Sequence, residues 1–120
     1  MQMSAQKTKA VPETAANEVR LVGRVSQQPE ERVLPSGDAV WTFRVVVPRE
    51  QGRSRQSVDA LECAAWSARA QRSVSGWGAD DVVEVVGSLR RRFFRAGGAV
   101  ASRVEVEMSS GRVIRRAASG

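Results

Sequence analysis

A chain of 120 residues carrying 19 Lys plus Arg, 13 Asp plus Glu, a net charge of +6, no His and one Cys is the size of one domain, large enough to bury roughly two-thirds of its unfolded surface. Without histidine there is no Ser-His or Cys-His nucleophile and no histidine-held metal, so hydrolytic triads and ordinary zinc sites are excluded and neither an enzymatic role nor a cofactor is expected. The lone Cys63 cannot form an intrachain disulfide and reads as a small buried hydrophobe in a reduced, cytoplasmic setting, and no apolar run reaches the roughly 20 residues of a membrane span.

Residues 1–16 mix Gln, Lys, Thr, Ala and Pro without apolar periodicity and are expected to be a disordered leader. From Asn17 the chain alternates, with Val19, Leu21, Gly23 and Val25 on one face, which predicts a half-buried strand. Gln28-Pro29-Glu30 interrupts it, and pairing resumes over Arg32 to Leu34 before the turn residues Pro35-Ser36-Gly37-Asp38. A second strand runs from Ala39 to Val47, with Trp41, Phe43, Val45 and Val47 at period two and Trp41 assigned to the core with its neighbours. Pro48 to Ser57 carries three arginines, Arg49, Arg53 and Arg55, without an apolar anchor, as expected of a mobile basic hairpin loop. Val58 to Ala65 alternates again and is the third strand. Trp66 to Gly76 has the Ala and Arg content of a short helix, with Gly76 expected to end it and Trp77 to plug the bottom of a barrel.

Val82 to Arg95 is the longest extended stretch, with Gly87 marking a bulge or bend. Ala96-Gly97-Gly98 turns the chain, Ala99 to Met108 returns, and Arg112 to Arg116 allows one more short strand. An antiparallel five-stranded sheet with bends, and one short helix between its third and fourth strands, predicts an all-β Greek-key barrel, the OB-fold. The folded domain is placed at residues 17–116, with a short disordered end at 117–120.

Charge and aromatics then converge. Residues 1–87 hold 11 basic and 11 acidic side chains, whereas residues 88–120 hold eight Arg and two Glu, so the whole imbalance lies in the last third. Within it, Arg90-Arg91-Arg92-Phe93-Phe94-Arg95 interleaves aromatics with cations. Rings that stack on any base and guanidiniums that neutralise phosphates are what sequence-tolerant single-strand binding needs. Neighbouring strand residues face opposite ways; Phe94 is assigned to the ligand and Phe93 to the barrel side. Trp66, at the junction of strand and helix, fits base stacking or packing under the helix. Asp80-Asp81 and the pair Glu105 and Glu107 read as a solvated loop and a solvated strand face.

Asn17-x-Val19-x-Leu21-x-Gly23-x-Val25, Pro29-Glu30-x-Arg32, Pro35-Ser36-Gly37 and the strand VVEVVGSLRRRFF over 82–94 resemble bacterial single-stranded DNA-binding proteins. The resemblance implies an OB-fold that binds single-stranded DNA during replication, recombination and repair, as a homotetramer in the nucleoid-associated cytoplasm. It places Trp66 and Phe94 at stacking positions and Arg90 and Arg92 at basic ones. With them, Arg91, Arg49, Arg53 and Arg55 complete the expected phosphate path. It also implies losses: Ala60 and Gln51 stand where some members have a stacking Trp, Gln28 replaces an Asp, and no acidic tail follows Arg115 to Gly120, so that route to partner proteins is expected to be absent. An accessory paralogue serving as a protein-assembly module, and a binder of single-stranded RNA, are the competing readings.

Overall fold

A computed structural model describes residues 13–50 and 57–118. Six strands and one helix follow each other as β1 (Val19–Val25), β2 (Glu30–Val33), β3 (Ala39–Pro48), β4 (Val58–Ala65), α1 (Ala68–Val74), β5 (Val82–Ala96) and β6 (Ala99–Arg115). Period-two alternation turns one face of each long strand inward, and Val25, Phe43, Val45, Cys63, Val83, Val85, Val106 and Met108 meet there as the core. Each fully buried Val or Met contributes about 1.5–3 kcal/mol over its exposed state.

The sheet closes on itself. β1 pairs with β5, β5 with β6, β6 with β4, β4 with β3, and β3 back to β1 through Arg24↔Val46 and Val25↔Val45. These five strands form the expected OB-type barrel, with β2 added outside β3 and the helix between β4 and β5. The third junction differs from the antiparallel expectation: β4 and β6 run parallel at Cys63↔Val106 and Ala64↔Glu107. This follows from closing the ring with an odd number of strands, since five cannot all alternate in direction.

Gly87 sits at a register shift between β5 and β6, where a Cβ would lie 2.0 Å from the Glu107 carbonyl oxygen; the bend depends on that close approach. Gly97 and Gly98 both adopt positive φ, 58° and 84°, the conformation of a two-residue hairpin turn. The short strand expected at Arg112 to Arg116 is not separate, because Ser109 to Gly111 continue in β6 opposite Val86 and Val85.

Ser67 caps α1, its Oγ accepting from the Ala70 amide at 3.1 Å, and buried Ala70 and Val74, one turn apart, seal the barrel. The helix ends on Ser75 in right-handed geometry rather than on a left-handed Gly76. Trp77 plugs the same end as expected, edge-on to Phe43 at 5.4 Å, and Trp41 packs against the core while only partly buried.

Asp81 departs from the solvated loop expected for Asp80-Asp81. It is only 4% exposed and accepts from the amides of Gly78 at 2.9 Å and Ala117 at 2.8 Å, and from Arg116 at 2.9 Å. Backbone order therefore extends to Ala117, just past the expected domain end. Residues 1–12 of the leader lie outside the described residues. Among the described residues no helix is long and apolar enough to cross a membrane.

Candidate nucleic-acid interface

The β5–β6 hairpin runs beyond the barrel as a two-stranded arm, and alternation divides its side chains between two faces. One face carries Arg90, Arg92 and Phe94, with Glu105, Arg103 and Ala101 directly across on β6. The other carries Leu89, Arg91, Phe93 and Arg95, with Val106, Val104, Ser102 and Val100 across. Neither phenylalanine enters the barrel: Phe93 is 69% and Phe94 43% exposed. The expectation that Phe93 turns into the core fails because the barrel ends before the arm does.

Phe94 and Trp66 belong to the same outer face. Ala60 and Glu62 are exposed on the outward side of β4 and Ala64, of the same parity, is covered; Trp66, half-buried, continues that series past the strand end. The Arg92 guanidinium lies over the Trp66 ring at 5.2 Å, and that of Arg103 over Phe94 at 5.6 Å. Gln71 of α1 donates to the carbonyls of Trp66 and Ala39, both at 2.9 Å, which fastens the helix and fixes the backbone that presents Trp66. The face continues across the barrel as an open groove of about 320 Å³ lined by Arg32, Thr42, Arg44, Glu62, Arg103 and Glu105.

The cations are not equally free. Arg90 pairs with Glu107 at 3.1 Å, and Arg92 with Glu105 at 3.1 Å and Glu107 at 2.9 Å. Arg103 lies 3.5 Å from Glu105, and Arg44 pairs with Glu62 at 2.6 Å. Glu105 is only 6% exposed. Glu105 and Glu107 thus form a carboxylate layer under the arginines, where a solvated strand face was expected. Arg91 points to the opposite face and donates to Ser102 at 3.0 Å; grouping it with Arg90 and Arg92 does not survive the strand geometry.

Arg49 is remote from this arrangement. It lies where β3 meets β4 at Pro48↔Val58, while Trp66 follows the other end of the ladder at Trp41↔Ala65, roughly 23 Å away along the strand. It donates twice to Asp59, at 2.7 and 3.0 Å, and that bond followed by the charge of Asp59 raises its pKa further. Arg53, Arg55 and Gln51 lie outside the described residues. Ala60 is exposed on β4 opposite Val46 and offers no ring.

Arg103, Gln71 and the groove residues Arg32 and Arg44 are contributors that residue-by-residue reading passed over. Arg103 had a usable signal: with the turn at Gly97-Gly98, paired residues sum to 195, which sets Arg92 against Arg103 and Arg90 against Glu105. Gln71 had none, because its role depends on where the helix docks.

A profile of the Single-strand binding protein family matches residues 16–114. Single-stranded DNA-binding protein 3 of Listeria innocua serovar 6a is 42% identical over 52 residues, 42% of this chain and 32% of that protein. Single-stranded DNA-binding protein A of Bacillus subtilis is 34% identical over 79 residues, 63% of this chain and 45% of that protein. The chain therefore spans less than half the length of these two relatives. A solved Plasmodium falciparum SSB complex with ssDNA superposes with a TM-score of 0.66 at 22% identity, over 88% of this chain and 98% of that one, a likeness that carries the barrel fold.

Proposed function

The chain belongs to the Single-strand binding protein family, whose members are DNA-binding proteins rather than enzymes, and we propose that it binds single-stranded DNA without strong sequence preference on the outer face that joins Trp66 to Phe94. The observation that carries this reading is the pairing of each ring with a guanidinium, half-buried Trp66 with Arg92 and exposed Phe94 with Arg103, on one continuous face. Trp66 and Phe94 stack bases while Arg90, Arg92 and Arg103 meet phosphates, and Arg32 and Arg44 carry the strand along the groove toward β2. Arg49 extends the electrostatic path at the far end of the β3–β4 ladder, Arg53 and Arg55 add to it as the sequence expects, and Arg91 supports it from the arm's reverse face. Residues 17–116 are the binding domain, acting as a homo-oligomer, a tetramer, in replication, recombination and repair within the nucleoid-associated cytoplasm.

Fluorescence anisotropy of labelled oligo(dT), oligo(U) and a duplex of equal length, each across a salt series, tests it. Binding of oligo(dT) well ahead of the duplex, with log K falling linearly in log salt, is the expected result; no retention of oligo(dT) at low salt would reject it. The reverse face of the arm, with Leu89, Phe93, Val100 and Val104 exposed, favours a second reading as an assembly module. Under that reading Phe93→Ser changes the mass in solution and leaves DNA affinity alone.

A further inference from the structure

The arginine face carries its own competitor for phosphate. Three guanidiniums, Arg90, Arg92 and Arg103, stand over two carboxylates, Glu105 and Glu107, at 2.9–3.5 Å. One positive charge is left of the three that a polyanion would meet without the glutamates. Arg92 is the most constrained: both carboxylates hold it and its guanidinium covers Trp66 at 5.2 Å. The Trp66 indole nitrogen is buried without an acceptor among the described residues. A phosphate that draws Arg92 away from the carboxylates leaves Glu105, 6% exposed, with only Arg103 at 3.5 Å as its cation, and weakening the pairing of a buried carboxylate is costly.

Resting on the single-strand reading above, we infer that Glu105 and Glu107 are specificity-determining residues of this face, lowering its attraction for phosphate so that only a polyanion that also stacks its bases binds well. A single strand gains stacking on Trp66 and Phe94 to offset the carboxylate displacement. A duplex keeps its bases inside and an abasic strand has none, so neither obtains that compensation. The glutamates thus weaken every phosphate contact and penalise most those ligands that have nothing else to offer.

The test compares the full chain with Glu107→Gln and with Glu105→Gln/Glu107→Gln. Anisotropy of oligo(dT), an abasic oligodeoxynucleotide of the same length and a duplex is read across a salt series. With two arginines released, the single-strand salt slope steepens by about 1.4, and abasic and duplex affinities at low salt rise about tenfold, more than that of oligo(dT). Glu107→Gln, at the more exposed glutamate, gives about half of each change and keeps the test valid where the double variant fails to fold. An unchanged slope with no gain for abasic strand or duplex, in a variant whose melting shows it folded, overturns the inference. Failure of the wild type to bind oligo(dT) rejects the single-strand reading instead; the abasic arm still decides the role of the glutamates.

Discussion

Arg92 and Trp66 form a stacked pair, guanidinium over indole at 5.2 Å, at the place where β4 ends and the β5–β6 arm leaves the barrel. The pair brings together a residue from the β4–α1 junction and one from β5, so the interface depends on barrel closure through the parallel β4–β6 junction rather than on any local motif.

The chain has three tryptophans, and their different surroundings give a direct readout. Trp77 is in the core and Trp41 packs against it, so fluorescence quenching by oligo(dT) is expected to arise from Trp66. Trp66→Phe should abolish most of the quenching and retain most of the affinity. Trp66→Ala and Phe94→Ala should each weaken binding by about 1–3 kcal/mol, the range for one stacked base. Titration of the variants by anisotropy separates signal from affinity; quenching that persists in Trp66→Phe would place the strand elsewhere.

Gly87→Ala is expected to destabilise the fold and the interface together. The new methyl would meet the Glu107 carbonyl oxygen at 2.0 Å, and relief requires β5 and β6 to separate where Glu107 is held in place. Overpacking of this kind costs about 1–3 kcal/mol. Urea unfolding should show a lower midpoint at unchanged slope, and unaltered stability would mean that the bulge is not fixed by backbone contact.

Much of the barrel is legible in the sequence because alternation is a one-dimensional signal. The span Val58–Ala65 coincides with β4, and Gly87 and Gly97-Gly98 mark the bend and the turn that the structure contains. Phe94 was singled out from residue type and position, and Trp66 by the family resemblance; each ring lies under a guanidinium in the structure. What could not be read is pairing between distant segments. Asp81 and Glu105 look like solvent-facing acids until Ala117, Arg116, Arg92 and Arg103 are brought over them. Arg91 looks equivalent to its neighbours until strand parity sends it to the opposite face. Arg49 looks like part of one basic surface until its place at the far end of the β3–β4 ladder is known.

The Asp81 carboxylate predicts an acid-sensitive joint between the end of β6 and the barrel floor. Hydrogen bonds from the Ala117 amide, then the Gly78 amide, then Arg116 hold its pKa below the ordinary carboxylate value. Glu84, held by Arg20 and then Arg112, is lowered as well. A carboxylate whose folded pKa is depressed contributes stability that is present above its unfolded pKa, near 3.9 for Asp, and lost as pH falls through the folded value. Stability should therefore drop below about pH 4, and Asp81→Asn should lose about 1.5–3 kcal/mol at neutral pH while flattening that drop. Urea midpoints from pH 3 to 7 measure both; a parallel curve for the variant would remove Asp81 from the acid transition.

Cys63 supplies a probe of core integrity from the floor of the groove, which it lines while only 2% exposed. Its side chain points inward from β4, opposite Phe43 on β3 and Val106 on β6, and burial, followed by the charges of Glu62 and Glu105, pushes its thiol up to about 12. The thiolate is the reactive form, so iodoacetamide at pH 8 should label the native protein only as fast as the barrel opens. In urea the same single thiol should label completely. Adding oligo(dT) should slow native labelling further, because a ligand that binds only the folded state lowers the open population. Cys63→Ser should cost more than Cys63→Ala, since a hydroxyl in this apolar layer needs an acceptor and the Leu61 carbonyl lies 3.7 Å from the sulfur, too far for a hydroxyl hydrogen bond of ordinary length. Rapid labelling of the native protein at pH 8 would show that the β4–β6 closure opens without global unfolding, and the parallel junction would then be the weak seam of the barrel.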